Sequence, residues 1–250
     1  MVVTDFKVRY QGSVLGYFWS LLKPLFLFAI LYVVFTYIIP LGKDVEHYPV
    51  YLLTGVVLWN FFTEATMVGA SSIVARGDLI RKISIPRYLV VISTSISALI
   101  NLGLGLVVVL IFALLNGITP TLGWLLLIPI IAELLILALG VSFFLSAIYV
   151  KFRDVTYIWE IFLQAGFYAS AIIYPLTKVP EEFRKWFFLN PLVQIIQDAR
   201  YAISPSNSYV TIWSTIHSMA VIIPFALIAV STLVGVVYFK RRSKYFAEDI

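Results

Sequence analysis

The sequence predicts an all-α integral membrane protein with six transmembrane helices, and three observations predict it. Of its 250 residues 61% are hydrophobic and 12% charged, against roughly 45–50% and about 25% in soluble domains. The apolar residues gather into long runs of membrane-spanning length, divided by short segments that hold most of the charge. Thirteen of the 18 Lys and Arg residues fall in every second dividing segment, starting with the N-terminal one. The net charge of +5 therefore reads as a topology signal, and no nucleic-acid partner is implied. With no cysteine there is no disulfide framework, no thiolate metal site and no cysteine nucleophile.

Residues 1–23 are amphipathic. Val3, Phe6, Tyr10, Val14 and Tyr17 form a stripe, with Asp5, Lys7, Arg9 and Gln11 beside it. This predicts a helix lying in the membrane interface, aromatic side down. A signal peptide is rejected, because the apolar run after Lys23 is too long and lacks a small-residue cleavage pattern. The first span is expected over 24–39, with Pro24 in its first turn, and the second over 49–70.

The charged stretch RGDLIRKISIPRY follows, at 76–88. Leu79, Ile80 and Ile83 share one helical face, with Asp78, Arg81, Lys82 and Arg87 around it and Pro86 as a stop. The pattern suits a short helix docking into another protein, or an ordinary basic topology loop. The third span is expected over 88–115, ended by the breakers Asn116-Gly117-Ile118-Thr119-Pro120, and the fourth over 122–149. The fifth is expected over 155–174, stopped by Pro175, and the sixth over 209–239, before the basic tail 240–250.

Between the last two spans, 178–204 reads as a re-entrant helical hairpin of 181–189 and 191–201, broken at Asn190-Pro191 and carrying Trp186. Each arm has half the residues a span needs and is too apolar for an aqueous loop. Six spans and the positive-inside rule together put both termini and the 76–88 stretch in the cytoplasm.

No nucleotide-binding or hydrolase motif occurs, and His47 and His217 share no motif, so no metal site is predicted. Any energy must come from a partner. Glu64, Glu133 and Glu160 lie within or at the edge of spans, where a charge costs at least about 2.5–3.5 kcal/mol. They read either as structural groups or as the polar lining of a path. Phe28, Tyr32 and Phe35 recur on one face of the first span, and Gln164 and Tyr168 punctuate the fifth. Most aromatic residues near span ends form interfacial belts, but a deep aromatic lane suits a carbohydrate.

Four blocks, in order, resemble the membrane permease of type 2 ABC exporters, in the branch that exports polysaccharide, O-antigen or teichoic acid. They are DFKVRYQGSVLGYFWSLLKPL from Asp5, LIRKISIPRYL from Leu79, YVKFRDVTYIWEIFLQAGFYASAIIYPLTKVP from Tyr149 and NPLVQIIQDAR from Asn190. The terminal FAEDI resembles the ending of that branch, and the likeness covers essentially the whole chain. The branch carries a longer lead-in before the first block, so either the interface helix is shortened here or the start codon is assigned late.

The resemblance implies a single permease domain over 1–250, paired with a second copy of itself in the bacterial or archaeal inner membrane. A coupling helix at 76–87 would dock each copy on a separate ATPase subunit, two per complex. ATP and Mg would belong to that subunit, leaving this chain with no cofactor and no catalytic residue. The cargo would be a lipid-linked glycan, passing Phe28, Tyr32, Phe35, Gln164 and Tyr168 near the dimer axis. Two alternatives stand beside this: a type 2 permease for a lipid or drug-like molecule, and a six-span membrane enzyme or channel.

Overall fold

The computed structural model describes residues 18–39, 45–78, 86–206, 209–216 and 218–246, and among these the regular elements are helices only. The interface-helix residues 1–17 and the coupling-stretch residues Leu79, Ile80, Arg81, Lys82 and Ile83 lie outside the described residues. We number the helices α1 (Phe18–Val33), α2 (Tyr48–Ala75), α3 (Tyr88–Leu115), α4 (Leu127–Tyr149), α5 (Val155–Ala169), α6 (Glu181–Phe187), α7 (Pro191–Ile203), α8 (Ile212–Thr215) and α9 (Ile222–Arg242). Among the described residues four segments are long and apolar enough to cross a membrane: α2, α3, α4 with its leading 3₁₀ turn, and α9 with its flanking 3₁₀ turns.

α2 is the axis of the bundle. Leu52, Leu53, Val56, Ala65 and Ala70 are sealed from solvent, and α1, α3, α4, α5 and α7 all pack against it. Close approach is achieved with small residues, as expected where packing rather than water expulsion joins apolar helices. Gly69 of α2 faces Ser142 of α4, whose hydroxyl donates to the Ala65 carbonyl at 3.1 Å. Gly140 of α4 and Gly235 of α9 leave no room for a Cβ between their backbones, and Thr232 donates to the Ile136 carbonyl at 3.1 Å.

α3 coincides with the third expected span, and α4 with its 3₁₀ turn fills the fourth. Four boundaries differ, the first being that α2 runs on to Ala75 rather than ending near 70. Pro24 sits inside α1 rather than in a first turn, so residues 18–23 continue into the same helix instead of belonging to a separate interface element. α5 ends at Ala169 rather than near 174, because Ala171 takes a left-handed backbone with φ 51°. The run 209–239 is divided: Thr211 caps the single turn of α8, and Ser218 caps a new 3₁₀ turn that leads into α9. α9 then continues through Lys240–Arg242, where cations complement its C-terminal dipole.

The hairpin residues form α6 and α7. Pro191 occupies the first turn of α7, and Asn190 Oδ1 accepts from the Leu192 amide at 3.1 Å. At the other end of α7, Trp124 Nε1 donates to the freed Ile203 carbonyl at 3.0 Å. With 13 residues α7 is too short to span a bilayer, and its face carrying Val193, Ile195, Ile196 and Ala199 is fully buried in the bundle.

Candidate functional site

Two hollows concentrate the polar chemistry. The first, of about 870 Å³, lies between α1, α2, α3 and α5. Helical periodicity builds its walls. On α2, Asn60, Thr63, Glu64 and Met67 fall at i, i+3, i+4 and i+7, and on α5 so do Glu160, Leu163, Gln164 and Phe167. Trp19 and Lys23 of α1, Trp59 of α2 and Tyr168 of α5 complete the rim. Asn101 of α3 reaches across and donates from Nδ2 to Glu64 Oε1 at 2.9 Å. Asn60 Nδ2, Thr63 Oγ1 and Asn101 Oδ1 are shielded from solvent and have no protein partner. Unsatisfied buried groups are few in folded proteins, so this wall offers free donors and acceptors beside aromatic planes.

The hollow thus gathers Glu64, Glu160, Gln164 and Tyr168 from two distant stretches of sequence. Phe28, Tyr32 and Phe35 sit outside its lining. Phe28 is buried edge-on against Phe112 of α3 and stacks with Tyr32, while Tyr32 and Phe35 are half-buried against the core. Asn60, Thr63 and Asn101 were not anticipated from sequence. The first two share the helical stripe of Glu64, a signal legible once α2 is in register.

The second hollow, of about 1000 Å³, opens at the hairpin end of the bundle between α4, α6, α7 and α8. Glu133 of α4 meets α7 there. Gln194 Nε2 donates to Asp198 Oδ2 at 2.8 Å and approaches Glu133 Oε2 at 3.4 Å. Burial pushes the Asp198 carboxyl up to about 6 against the pull of that amide.

A third construction holds the hairpin itself. Arg200, 1% exposed, donates from Nε to the Tyr51 carbonyl at 3.0 Å, from Nη1 to Ala171 at 3.0 Å and from Nη2 to Ile172 at 2.9 Å. The Tyr48 hydroxyl donates to Ile173 at 2.7 Å and that of Tyr51 to Tyr174 at 3.1 Å. Four successive carbonyls past the end of α5 are therefore satisfied by side chains, as buried irregular backbone requires. Trp186 is exposed on α6, 60% accessible, and Asn190 also donates to Ser170 Oγ at 3.1 Å.

At the opposite end, Arg76 Nη1 donates to Ser93 Oγ at 3.0 Å, joining the end of α2 to the start of α3. Asp78 and Pro86 are exposed, and Arg87 is half-buried just before α3. A second apolar cluster lies there, with Phe246 packed on Phe239 and near Ile73, Val90 and Val91.

Residues 1–204 match the model of a family described as ABC-2 type transporter. An O-antigen export system permease protein, RfbA, of Klebsiella pneumoniae is 29% identical over 98% of this chain and 91% of its own length. An RfbA permease of Myxococcus xanthus is 30% identical over 78% of this chain and 75% of its own length. The polysialic acid transport protein KpsM of Escherichia coli is 23% identical, covering 82% of this chain and 80% of its own length.

Proposed function

This chain belongs to the ABC-2 type transporter family, and on that premise we propose that it is the membrane subunit of an ATP-driven polysaccharide exporter. Its cargo is a lipid-linked glycan of the O-antigen, teichoic acid or capsule kind, moved from the cytoplasm to the outer face of the inner membrane. The observation that carries this reading is the hollow between α1 and α5, with Trp19, Trp59, Phe167 and Tyr168 beside free amide and hydroxyl groups. Aromatic planes and uncommitted hydrogen-bonding groups are what a sugar chain needs to slide and be held.

In this reading α1 and α5 cross the membrane with the four longer helices, α6 and α7 form a re-entrant hairpin in the outer leaflet, and both termini are cytoplasmic. Two copies pair so that the hollows of α1 and α5 meet at the dimer axis. ATP and Mg act on a separate ATPase subunit, docked on the 76–87 stretch. The thirteen-to-five division of Lys and Arg supports that orientation.

The test is a photo-crosslinking residue placed at Gln164 in cells that make the glycan and the partner ATPase. Sugar-bearing adducts that depend on ATP hydrolysis are expected. Adducts to phospholipid alone, or to a small apolar molecule, overturn the glycan reading in favour of a lipid or drug cargo.

A further inference from the structure

The hollow at the hairpin end belongs to a different set of helices from the path between α1 and α5, and its wall has a consistent chemical bias. Gln194 is 1% exposed and spends its amide hydrogens on Asp198 and Glu133. Glu133 Oε1, Gln194 Oε1 and Asp198 Oδ1 meet no donor at all. The cation of the same wall is committed elsewhere. Arg184 gives Nε to the Val179 carbonyl at 2.8 Å and Nη2 to Thr177 at 2.9 Å, and its Nη1 lies 3.6 Å from Glu181. The unsatisfied atoms of the wall are therefore acceptors, and its carboxyl groups, Glu133, Glu181 and Asp198, outnumber its cation, Arg184.

Of the four aromatic side chains that line the same hollow, Tyr201 is 47% and Trp213 61% exposed, with Phe225 beside Trp213 and Tyr209 buried. A ligand that fits must bring hydroxyl donors, present an apolar face to an aromatic plane and carry no negative charge. A neutral pyranose does all three: its hydroxyls donate, and its C–H face lies on indole or phenol. The wall disfavours uronic acids, sialic acids and phosphates by like-charge repulsion in a poorly solvated setting.

We infer that the hollow framed by Glu133, Gln194, Asp198, Tyr201 and Trp213 is a binding site for neutral sugar units. It rests on the exporter reading only for the source of the sugar, namely glycan emerging beside the hairpin. Its volume of about 1000 Å³ exceeds one sugar ring, and two or three consecutive units fit.

The test uses the purified full-length chain in lipid nanodiscs, because glycoside detergents would compete for the site. Saturation-transfer NMR is recorded with methyl α-D-mannopyranoside, methyl β-D-glucopyranoside, the methyl glycoside of glucuronic acid, and calcium chloride as a competitor. Saturable transfer is expected from the neutral glycosides, with at least tenfold weaker binding of the glucuronide. Trp213→Leu and Asp198→Ala should each weaken binding about tenfold, whereas Asp198→Asn, which keeps an acceptor, loses less.

Trp186→Leu removes another exposed tryptophan from the same end of the bundle and should leave binding unchanged. No saturable transfer, equal binding of the glucuronide, insensitivity to Trp213→Leu, or displacement of sugar by calcium each overturns the assignment. The last result makes the cluster a cation site instead. No ATPase or export is involved, so the outcome separates cleanly from the crosslinking at Gln164. Sugar binding with no glycan adduct there overturns the glycan path between α1 and α5 and spares this site.

Discussion

The guanidinium of Arg200 lies 3.3 Å from the centre of the Tyr51 ring, and the same tyrosine accepts its Nε through the main-chain carbonyl. One cation from α7 thus grips α2 twice and holds two carbonyls beyond α5 as well. Among the described residues its partners are carbonyls and a ring, not a carboxylate. Arginine suits such a place because its planar fork serves several acceptors at fixed angles while stacking on an aromatic face. Gly55, one turn along α2 from Tyr51, gives the fork its space: a Cβ there would run into Nη2.

Arg200 and Gly55 should therefore show strong coupling with a change of sign. Arg200→Ala leaves buried carbonyls without donors and opens a void, and should cost about 3 kcal/mol or more. Gly55→Ala in the native background should cost about 1–3 kcal/mol through the clash. In the Arg200→Ala background it should stabilise by about 1 kcal/mol, because alanine is the better helix former. Reversible unfolding of the four proteins in bilayer mimics checks this. Additive costs would show that the two sites do not share space.

Asp198 makes the stability of the hairpin depend on pH. Burial raises its carboxyl from the ordinary 3.8 to about 6, with the Gln194 amide pulling the other way. Between those values the folded chain holds a proton that the unfolded chain has released. Stability is thus greatest below the window and falls as pH rises through it, by about 3 kcal/mol at most. The groups facing Asp198 from α4 and α6 are Glu133, Glu181 and Arg184. Asp198→Asn should lessen the slope of the profile between about pH 4 and pH 6 and raise stability at pH 7. A thermal unfolding series against pH distinguishes this from an unchanged profile.

What was legible in the sequence was whatever is set locally. α3 is an apolar run closed by turn residues at one end and a proline near the other, and its bounds follow from those signals. Asn190-Pro191 announces the start of α7 because cap and first turn are adjacent in sequence. The end of α5 was not legible: what stabilises the bend past Ala169 is a side chain 29 residues from Ala171 in α7, together with two tyrosines of α2. Arg200 itself read only as one more cation in a charge count. At the candidate path the same division holds. Glu64, Gln164 and Tyr168 stood out as polar groups in apolar helices, but Asn101 matters only because α3 places it 2.9 Å from Glu64.

Asn190 is the cap of α7 and its link to Ser170, so its removal should act locally. Asn190→Ala should cost about 1 kcal/mol, while Asn190→Ser, which restores an acceptor for the first turn, should recover most of it. Hydrogen exchange should accelerate at the Leu192 and Val193 amides and remain unchanged in α3. Acceleration throughout the bundle would show that the hairpin does not open independently.

Glu64 and Asn101 cross-link two helices inside the proposed path, and their chemistry separates a structural role from a conducting one. Glu64→Gln keeps an acceptor for Asn101 Nδ2 and should leave glycan export within about twofold. Glu64→Leu strands that amide beside the already unpartnered Asn101 Oδ1 and turns a polar wall apolar. Export in vesicles containing the partner ATPase should fall about tenfold, equivalent to about 1.4 kcal/mol, with hydrolysis of ATP continuing. An equal fall in both variants would assign the effect to the negative charge. Normal export by Glu64→Leu would mean that the glycan does not pass this wall, because a sugar hydroxyl meeting leucine in place of a carboxylate must lose a hydrogen bond.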